Sequence, residues 1–208
     1  MEFKASTVED FLSKDETYVL VNAAISITEE QWNLENTHPF WQGRVIHLPQ
    51  LSLVSKPAYS LIRHEIFPRI RKKLVSQYDL DLPTFPDSID LVRWPVGLSQ
   101  PTHWDDMKGL GEENSWNSHR KYGVIIYLND DYEGGQTYYP KFNHYITPKA
   151  GMLAVHPGDE IHEHGVTEIK KTIRYTLSSF WHHTPSKVVV PEFHDEYYNS
   201  NKDLIKVD

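Results

Sequence analysis

Apolar positions along the chain change period near residue 89. Upstream, Ile62, Ile66, Ile70 and Leu74 recur every fourth residue within 55–75, and that spacing puts them on one face of a helix with about 3.6 residues per turn. Pro57 suits the first turn of this helix. Pro68 has no N–H to donate and its ring crowds the preceding turn, so a kink is expected there. Thr7-Val8-Glu9-Asp10 has the hydroxyl-then-acid form of a short helix start. The apolar run 19–27 is far shorter than the roughly 20 residues that span a bilayer, and reads as a buried strand. From Ile89 onward the chain breaks into short apolar or alternating runs at 89–94, 102–105, 122–128, 136–139, 152–156, 162–168 and 172–181. Turn residues separate them at Asn129-Asp130-Asp131, Glu133-Gly134-Gly135, Pro148-Lys149-Ala150-Gly151 and Pro157-Gly158-Asp159. This texture predicts an antiparallel all-β sandwich or barrel behind N-terminal helices.

A chain of 208 residues is sized for one domain with a proper core. It divides into a support region 1–88, a β core 89–182 and a tail 183–208. The tail carries Val188, Val190, Tyr197 and Tyr198, enough apolar surface to dock on the body or on a partner. A net charge of −8 argues against a nucleic-acid binder, which needs cations to neutralise phosphates. The basic run Arg69 to Lys73 falls near a helix end and reads as a solvated face. No basic and then apolar leader opens the chain, no run is long enough for a membrane span, and there is no cysteine, so a cytoplasmic setting is the simplest expectation. The oligomeric state is not legible.

Chemistry concentrates at His103-Trp104-Asp105. Residues two apart in an extended strand point to one face, so this strand can offer an imidazole and a carboxylate to one ion. A third ligand from a distant strand, with His164 the candidate, would complete a two-histidine, one-carboxylate facial set that leaves open coordination positions, the arrangement of non-haem Fe(II) oxygenases. With 12 histidines present, chance pairings need weighing. His162, His164 and Glu168 imitate another metal motif, but its glycine-bearing second half would have to follow Gly165, and no glycine does. His162 is therefore expected near the ion but not on it. His156, His182, His183 and His194 read as structural or exposed.

If 162–168 and 172–181 form a hairpin around Lys170, residues whose numbers sum to about 340 lie opposite each other. His164, Arg174, Thr176 and Phe180 would then share a face. Arginine presents a fixed cationic fork that suits a small dicarboxylate able to chelate the ion as well. The polar, glycine-containing stretch 106–118 reads as a loop beside the metal that could act as a lid.

Arg93-Trp94-Pro95 with Gly97, His103-Trp104-Asp105, Tyr127-Leu128-Asn129-Asp130, Glu133-Gly134-Gly135-Gln136-Thr137, Pro148 with Gly151, His164-Gly165-Val166 and Arg174-Tyr175-Thr176 follow one another in this order. The series, over about residues 90 to 182, resembles the 2-oxoglutarate- and Fe(II)-dependent oxygenases of the prolyl 4-hydroxylase type. The resemblance implies a double-stranded β-helix, a distorted, cupin-like jelly roll with helices packed on one sheet. It makes His103, Asp105 and His164 the iron ligands and sets Arg174 against the distal carboxylate of 2-oxoglutarate, with Tyr127 hydrogen-bonding the same group and Thr176 assisting. Arg120, seven residues before Tyr127, and Phe180 match positions where relatives touch the substrate. Phe180 stands where tryptophan is usual and Trp181 follows it, so both rings are candidates. Trp94 replaces a common tyrosine at the pocket. The implied reaction hydroxylates a prolyl residue in a peptide or protein while O2 and 2-oxoglutarate become succinate and CO2, with ascorbate a candidate reductant. A free amino acid or other small molecule is the alternative substrate, and a non-catalytic jelly-roll binding protein the alternative of another class.

Overall fold

A computed structural model describes residues 2–33, 39–106 and 117–183. His194, the apolar tail and most of the expected lid lie outside the described residues. The N-terminal part comprises β1 (Ser6–Val8), α1 (Lys14–Ser26), α2 (Glu29–Trp32), β2 (Val45–His47), α3 (Leu48–Val54), α4 (Lys56–Leu61), a π-helical turn (Ile62–Ile66) and α5 (Phe67–Tyr78). The β region follows with β3 (Phe85–Trp94), β4 (Gln100–His103), β5 (Tyr122–Tyr127), β6 (Glu133–Gly134), β7 (Thr137–Tyr139), β8 (His144–Ile146), β9 (Leu153–Pro157), β10 (His164–Val166), β11 (Ile169–Lys170) and β12 (Arg174–His182).

The helix start falls at Ser13 rather than Thr7. The Ser13 hydroxyl accepts the Glu16 N–H and the Glu16 carboxylate accepts the Ser13 N–H, satisfying two donors that open a helix. Thr7 lies instead in an edge strand paired with β9. The run 19–27, read as a strand, is the second half of α1 and its cap. Leu20, Ala23, Ala24 and Ile27 face the core at helical spacing. That spacing is masked in the sequence because half-buried Val19 and Val21 and exposed Ile25 are apolar too.

The stripe Ala58, Ile62, Ile66, Ile70 and Leu74 is buried throughout, as the four-residue period requires. Pro68 is accommodated by the π turn ahead of it: Phe67 N–H donates to Ile62 O, and Pro68 takes a first-turn position of α5 where no N–H is needed.

The strands form two facing antiparallel sheets, one with the order β1-β9-β5-β12-β3-β2 and one with β4-β10-β7-β8, plus the short pair β11-β6. The helices cover the outer face of the larger sheet, where Ile89, Leu91, Val124, Ile126, Leu153, Val155, Leu177 and Trp181 join Leu20, Leu51, Ile62, Phe67, Ile70 and Leu74 in one cluster. Alternation along each strand then turns Val92, Trp94, Tyr127, Ala154, Arg174 and Thr176 towards the smaller sheet. This is the double-stranded β-helix, or distorted jelly roll.

The expected hairpin between 162–168 and 172–181 does not form. β10 pairs with β4 and β7 in the smaller sheet, whereas β12 pairs with β3 and β5 in the larger one. Between them β11 pairs with β6, and the chain turns at Lys171 in a left-handed conformation (φ 76). His164 and Arg174 thus belong to different sheets of the sandwich and do not share a strand face. Among the described residues no helix is long and apolar enough to cross a membrane.

Candidate active site

His103 ends β4 and His164 begins β10, and the register of these strands sets them directly opposite, with ring centroids 4.6 Å apart. Asp105 was expected in the same strand as His103; the strand stops at His103 and Asp105 sits in the following turn. The turn still brings its carboxylate back, and one ligand atom from each of the three residues lies within 4.8 Å of the others. Asp105 Oδ1 is 4.0 Å from His103 Nε2 and 3.9 Å from His164 Nε2. Each imidazole is oriented from behind: His103 Nδ1 lies 3.1 Å from Pro101 O and His164 Nδ1 lies 3.0 Å from His162 O. A carbonyl only accepts, so both rings carry hydrogen on Nδ1 and present Nε2 inward, as metal-binding histidines do.

Electrostatics keeps these groups in their ligand forms. Burial opposes ionisation of Asp105, but the neighbouring imidazoles of His164, His156 and His103, with a hydrogen bond from His156, outweigh it and hold the carboxyl well below the usual range. Burial, reinforced by His156, brings His164 down to about 3, so its ring is neutral at neutral pH.

His156, read as structural or exposed, is 1% exposed and lies against the cluster. Its Nε2 is 3.0 Å from Asp105 Oδ2 and its Nδ1 is 3.0 Å from the Tyr139 hydroxyl. His162 lies close by without joining the cluster, its Nδ1 against Asp159 Oδ1 at 2.7 Å and its Nε2 accepting the Lys4 N–H. His182 is fully buried beside His119, and His183 donates to Pro83 O.

Deeper in the sandwich Arg174 is 1% exposed, its guanidinium carbon 5.0 Å from the Trp94 ring centre and 5.2 Å from that of Tyr127. Among the described residues its Nε and Nη1 are buried without a hydrogen-bond partner, and so is the hydroxyl of neighbouring Tyr132. Gly135 permits this approach (φ 59): a Cβ there would sit 2.8 Å from the Tyr132 ring and 3.0 Å from Arg174 Cδ. The Tyr127 hydroxyl meets Thr137 Oγ1 at 2.7 Å, and Trp94 Nε1 donates to Thr176 Oγ1 at 3.3 Å. Burial raises the pKa of both Tyr127 and Tyr132, so each keeps its hydrogen for donation.

Orphaned buried donors cost about 1–3 kcal/mol each, more when charged, so a guanidinium with two of them beside an unpaired phenol favours an anion. A carboxylate fits this donor set. Two imidazoles presenting Nε2 with one carboxylate fit a divalent transition metal. Tyr132 and Thr137 were not anticipated from the sequence. Their signal was the tyrosine just past Asn129-Asp130-Asp131 and the threonine after the paired glycines.

On the other side of the cluster, Arg120 Nε donates to Asp87 Oδ2 at 2.6 Å, and its guanidinium carbon lies 3.6 Å from the Phe180 ring centre. His119 Nε2 lies 3.2 Å from the same Asp87 oxygen. Phe180 pairs with Gly123, whose open face looks onto Asp105 and His156, so Phe180 is on the site side of the sheet. Trp181 is not. It is fully buried under the helices, 5.9 Å from the Phe67 ring, with its Nε1 donating to Ser179 Oγ. Strand alternation separates the two rings.

Residues 91–182 match the model of the 2OG-Fe(II) oxygenase superfamily. Among solved structures, the viral collagen prolyl hydroxylase of Paramecium Bursaria Chlorella virus-1, in complex with 2OG, superimposes with a TM-score of 0.65 at 19% identity, over 87% of this chain and 96% of that one. A Pseudomonas putida prolyl-4-hydroxylase gives 0.61 at 18% identity, covering 88% of this chain and 94% of its own. A prolyl hydroxylase from Trichoplax adhaerens, in complex with a hypoxia inducible factor oxygen degradation domain peptide fragment, gives 0.61 at 13% identity, over 86% and 84%. At such identities the likeness establishes the fold. No curated protein shows significant similarity to the chain.

Proposed function

We propose that this chain, whose residues 91–182 match the 2OG-Fe(II) oxygenase superfamily, is such an oxygenase and hydroxylates a prolyl residue in a peptide or protein. One observation carries the reading: one β-sandwich holds both a His-Asp-His cluster and a buried, inward-facing guanidinium with orphaned donors. His103 and His164 would bind iron through Nε2 and Asp105 through Oδ1. Arg174, with Tyr132 donating beside it, would take the distal carboxylate of 2-oxoglutarate, while Tyr127 and Thr176 line that end of the pocket. Bound together, iron and 2-oxoglutarate supply O2 activation, with succinate and CO2 as by-products and a hydroxyl for the substrate.

The protein's own part is positioning and exclusion of water. Trp94 and Tyr127 wall the carboxylate end, so the Arg174 charge acts where little solvent screens it. Asp87 fixes the Arg120 guanidinium across one face of the half-buried Phe180 ring and so holds that ring in place on the site side of the sheet. A pyrrolidine ring would pack against this aromatic surface.

Anaerobic addition of Fe(II) and 2-oxoglutarate should produce the weak visible charge-transfer band of the chelate, and His103→Ala or Asp105→Ala should abolish it. Turnover with proline-containing peptides should add the mass of one oxygen and release succinate. A wild-type protein giving neither band nor succinate would sink the oxygenase reading. Oxygen added to free proline but to no peptide would replace the substrate assignment alone.

A further inference from the structure

We infer that His156 is a positioning residue for the metal: it holds one oxygen of Asp105 so that the carboxylate meets the ion through the other oxygen only. The inference rests on reading His103, Asp105 and His164 as the ligands and adds a residue behind them.

The two oxygens of Asp105 have different surroundings. Oδ1 faces His103 and His164, at 4.0 and 3.9 Å from their Nε2 atoms, whereas Oδ2 lies 3.0 Å from His156 Nε2. An ionised carboxylate only accepts, so His156 Nε2 carries the hydrogen. On the far edge of the ring Nδ1 meets the Tyr139 hydroxyl at 3.0 Å, so both ring nitrogens are engaged. Tyr139 is fully buried, so its hydroxyl has no water to turn to in place of the ring. The contacts run in series from Tyr139 through His156 to Asp105.

His156 is itself outside the ligand cluster, although its ring centre is 4.2 Å from that of His164. It occupies an interior position of β9 after Leu153, Ala154 and Val155, all fully buried, where an imidazole loses hydration that only specific partners offset. Space for the contact is made on the neighbouring strand. Gly123 pairs with His156 between β5 and β9, and a Cβ there would overlap both His156 Nε2 and Asp105 Oδ2. A histidine at 156 and the lack of a side chain at 123 thus serve one hydrogen bond.

The consequence concerns how many metal positions the protein occupies. A carboxylate free to rotate can bind through both oxygens and use a fourth site on the ion. With Oδ2 held by His156, Asp105 would offer the ion Oδ1 alone and leave room on it for a chelating co-substrate and O2.

Titration of the metal-free protein with Co(II), read by its d–d absorption and by competition with a chromophoric chelator, tests this without turnover. His156→Phe keeps a ring but loses the donor, and should weaken Co(II) binding roughly 10–100-fold, the range seen when partners of metal ligands are removed, with an altered visible spectrum. His156→Gln returns an N–H near the Nε2 position and should recover most of the affinity and spectrum. Tyr139→Phe, which releases the ring but leaves it in place, should lie between wild type and His156→Phe. Thermal melting of each metal-free variant shows whether it folds, and a His156→Phe protein that does not fold leaves the decision to the other two. Wild-type affinity and spectrum in His156→Phe, or a His156→Gln protein as impaired as His156→Phe, would overturn the inference. An Asp105→Ala control that loses Co(II) while His156→Phe retains it would confine the failure to His156. Wild-type protein that takes up no Co(II) would remove the metal reading with it.

Discussion

Removing the Arg174 side chain should uncouple 2-oxoglutarate binding from the fold. Among the described residues its Nε and Nη1 are buried with no hydrogen-bond partner, so a bound carboxylate would complete two charge-assisted hydrogen bonds. Such bonds contribute about 1.5–3 kcal/mol each. Arg174→Ala should therefore raise the dissociation constant for 2-oxoglutarate by roughly 10²- to 10⁴-fold, at about 1.4 kcal/mol per decade. The ligand-free protein should respond differently. Truncation leaves a cavity between Trp94 and Tyr127, but it also removes a desolvated cation with orphaned donors, and the two effects oppose each other. Thermal melts of protein loaded with Mn(II), which does not turn over, separate these terms. At 100 times the dissociation constant a ligand stabilises the native state by about 2.7 kcal/mol. That shift should be clear in wild type and absent in Arg174→Ala at the same 2-oxoglutarate concentration. Arg174→Lys, which keeps the charge but not the fork, should fall between. A full 2-oxoglutarate-induced shift in Arg174→Ala would refute the assignment of this pocket.

Tyr132→Phe should weaken 2-oxoglutarate about tenfold, the loss of one hydrogen bond to a charged group, and leave Co(II) affinity unchanged; equal effects on both would contradict the proposed contact. Trp181→Ala should cost roughly 3–5 kcal/mol in urea unfolding because it empties the helix-facing core, without altering 2-oxoglutarate affinity in the folded fraction, whereas Phe180→Ala should raise the peptide KM with a smaller effect on stability. Burial, with the charge of His119 adding to it, lowers His182 to about 4. Its contribution to stability is complete above the unfolded pKa near 6.5 and is lost as pH falls towards 4, at no more than about 1.4 kcal/mol per pKa unit. Urea melts of the metal-free protein at pH 7 and 4.5 should show a smaller difference in His182→Phe than in wild type; an unchanged difference would assign the acid sensitivity elsewhere.

What could be read in advance depended on how locally each feature is determined. The stripe from Ile62 to Leu74 and the turn-bounded strands after Ile89 are set by neighbours in sequence, and both appear in the fold. The segment 19–27 failed because an all-apolar run carries no period, and the decision lay in the Ser13 cap six residues upstream. The hairpin failed for a different reason. Parity within a strand is local, but the partner of a strand is not, and β11 diverts the chain to β6 before β12 begins. Arg174 and Thr176 still face the interior because alternation along β12 alone decides that.

His156 marks where local reading ends. Nothing within several residues distinguishes it from the eleven other histidines. It gains its place from Asp105, 51 residues earlier, from Gly123 on the adjacent strand and from Tyr139 on the facing sheet. Metal ligands are legible because a strand or a short motif brings them with it. The groups that orient those ligands come from wherever the sandwich happens to close over them, so they emerge only when both sheets are in place. The same logic applies to Tyr132, whose hydroxyl is defined by what it lacks. A position with an unmet donor beside Arg174 points to the ligand more directly than one whose hydroxyl is already engaged, as those of Tyr127 and Thr176 are. If Tyr127→Phe weakens 2-oxoglutarate more than Tyr132→Phe does, that ordering of the pocket is wrong.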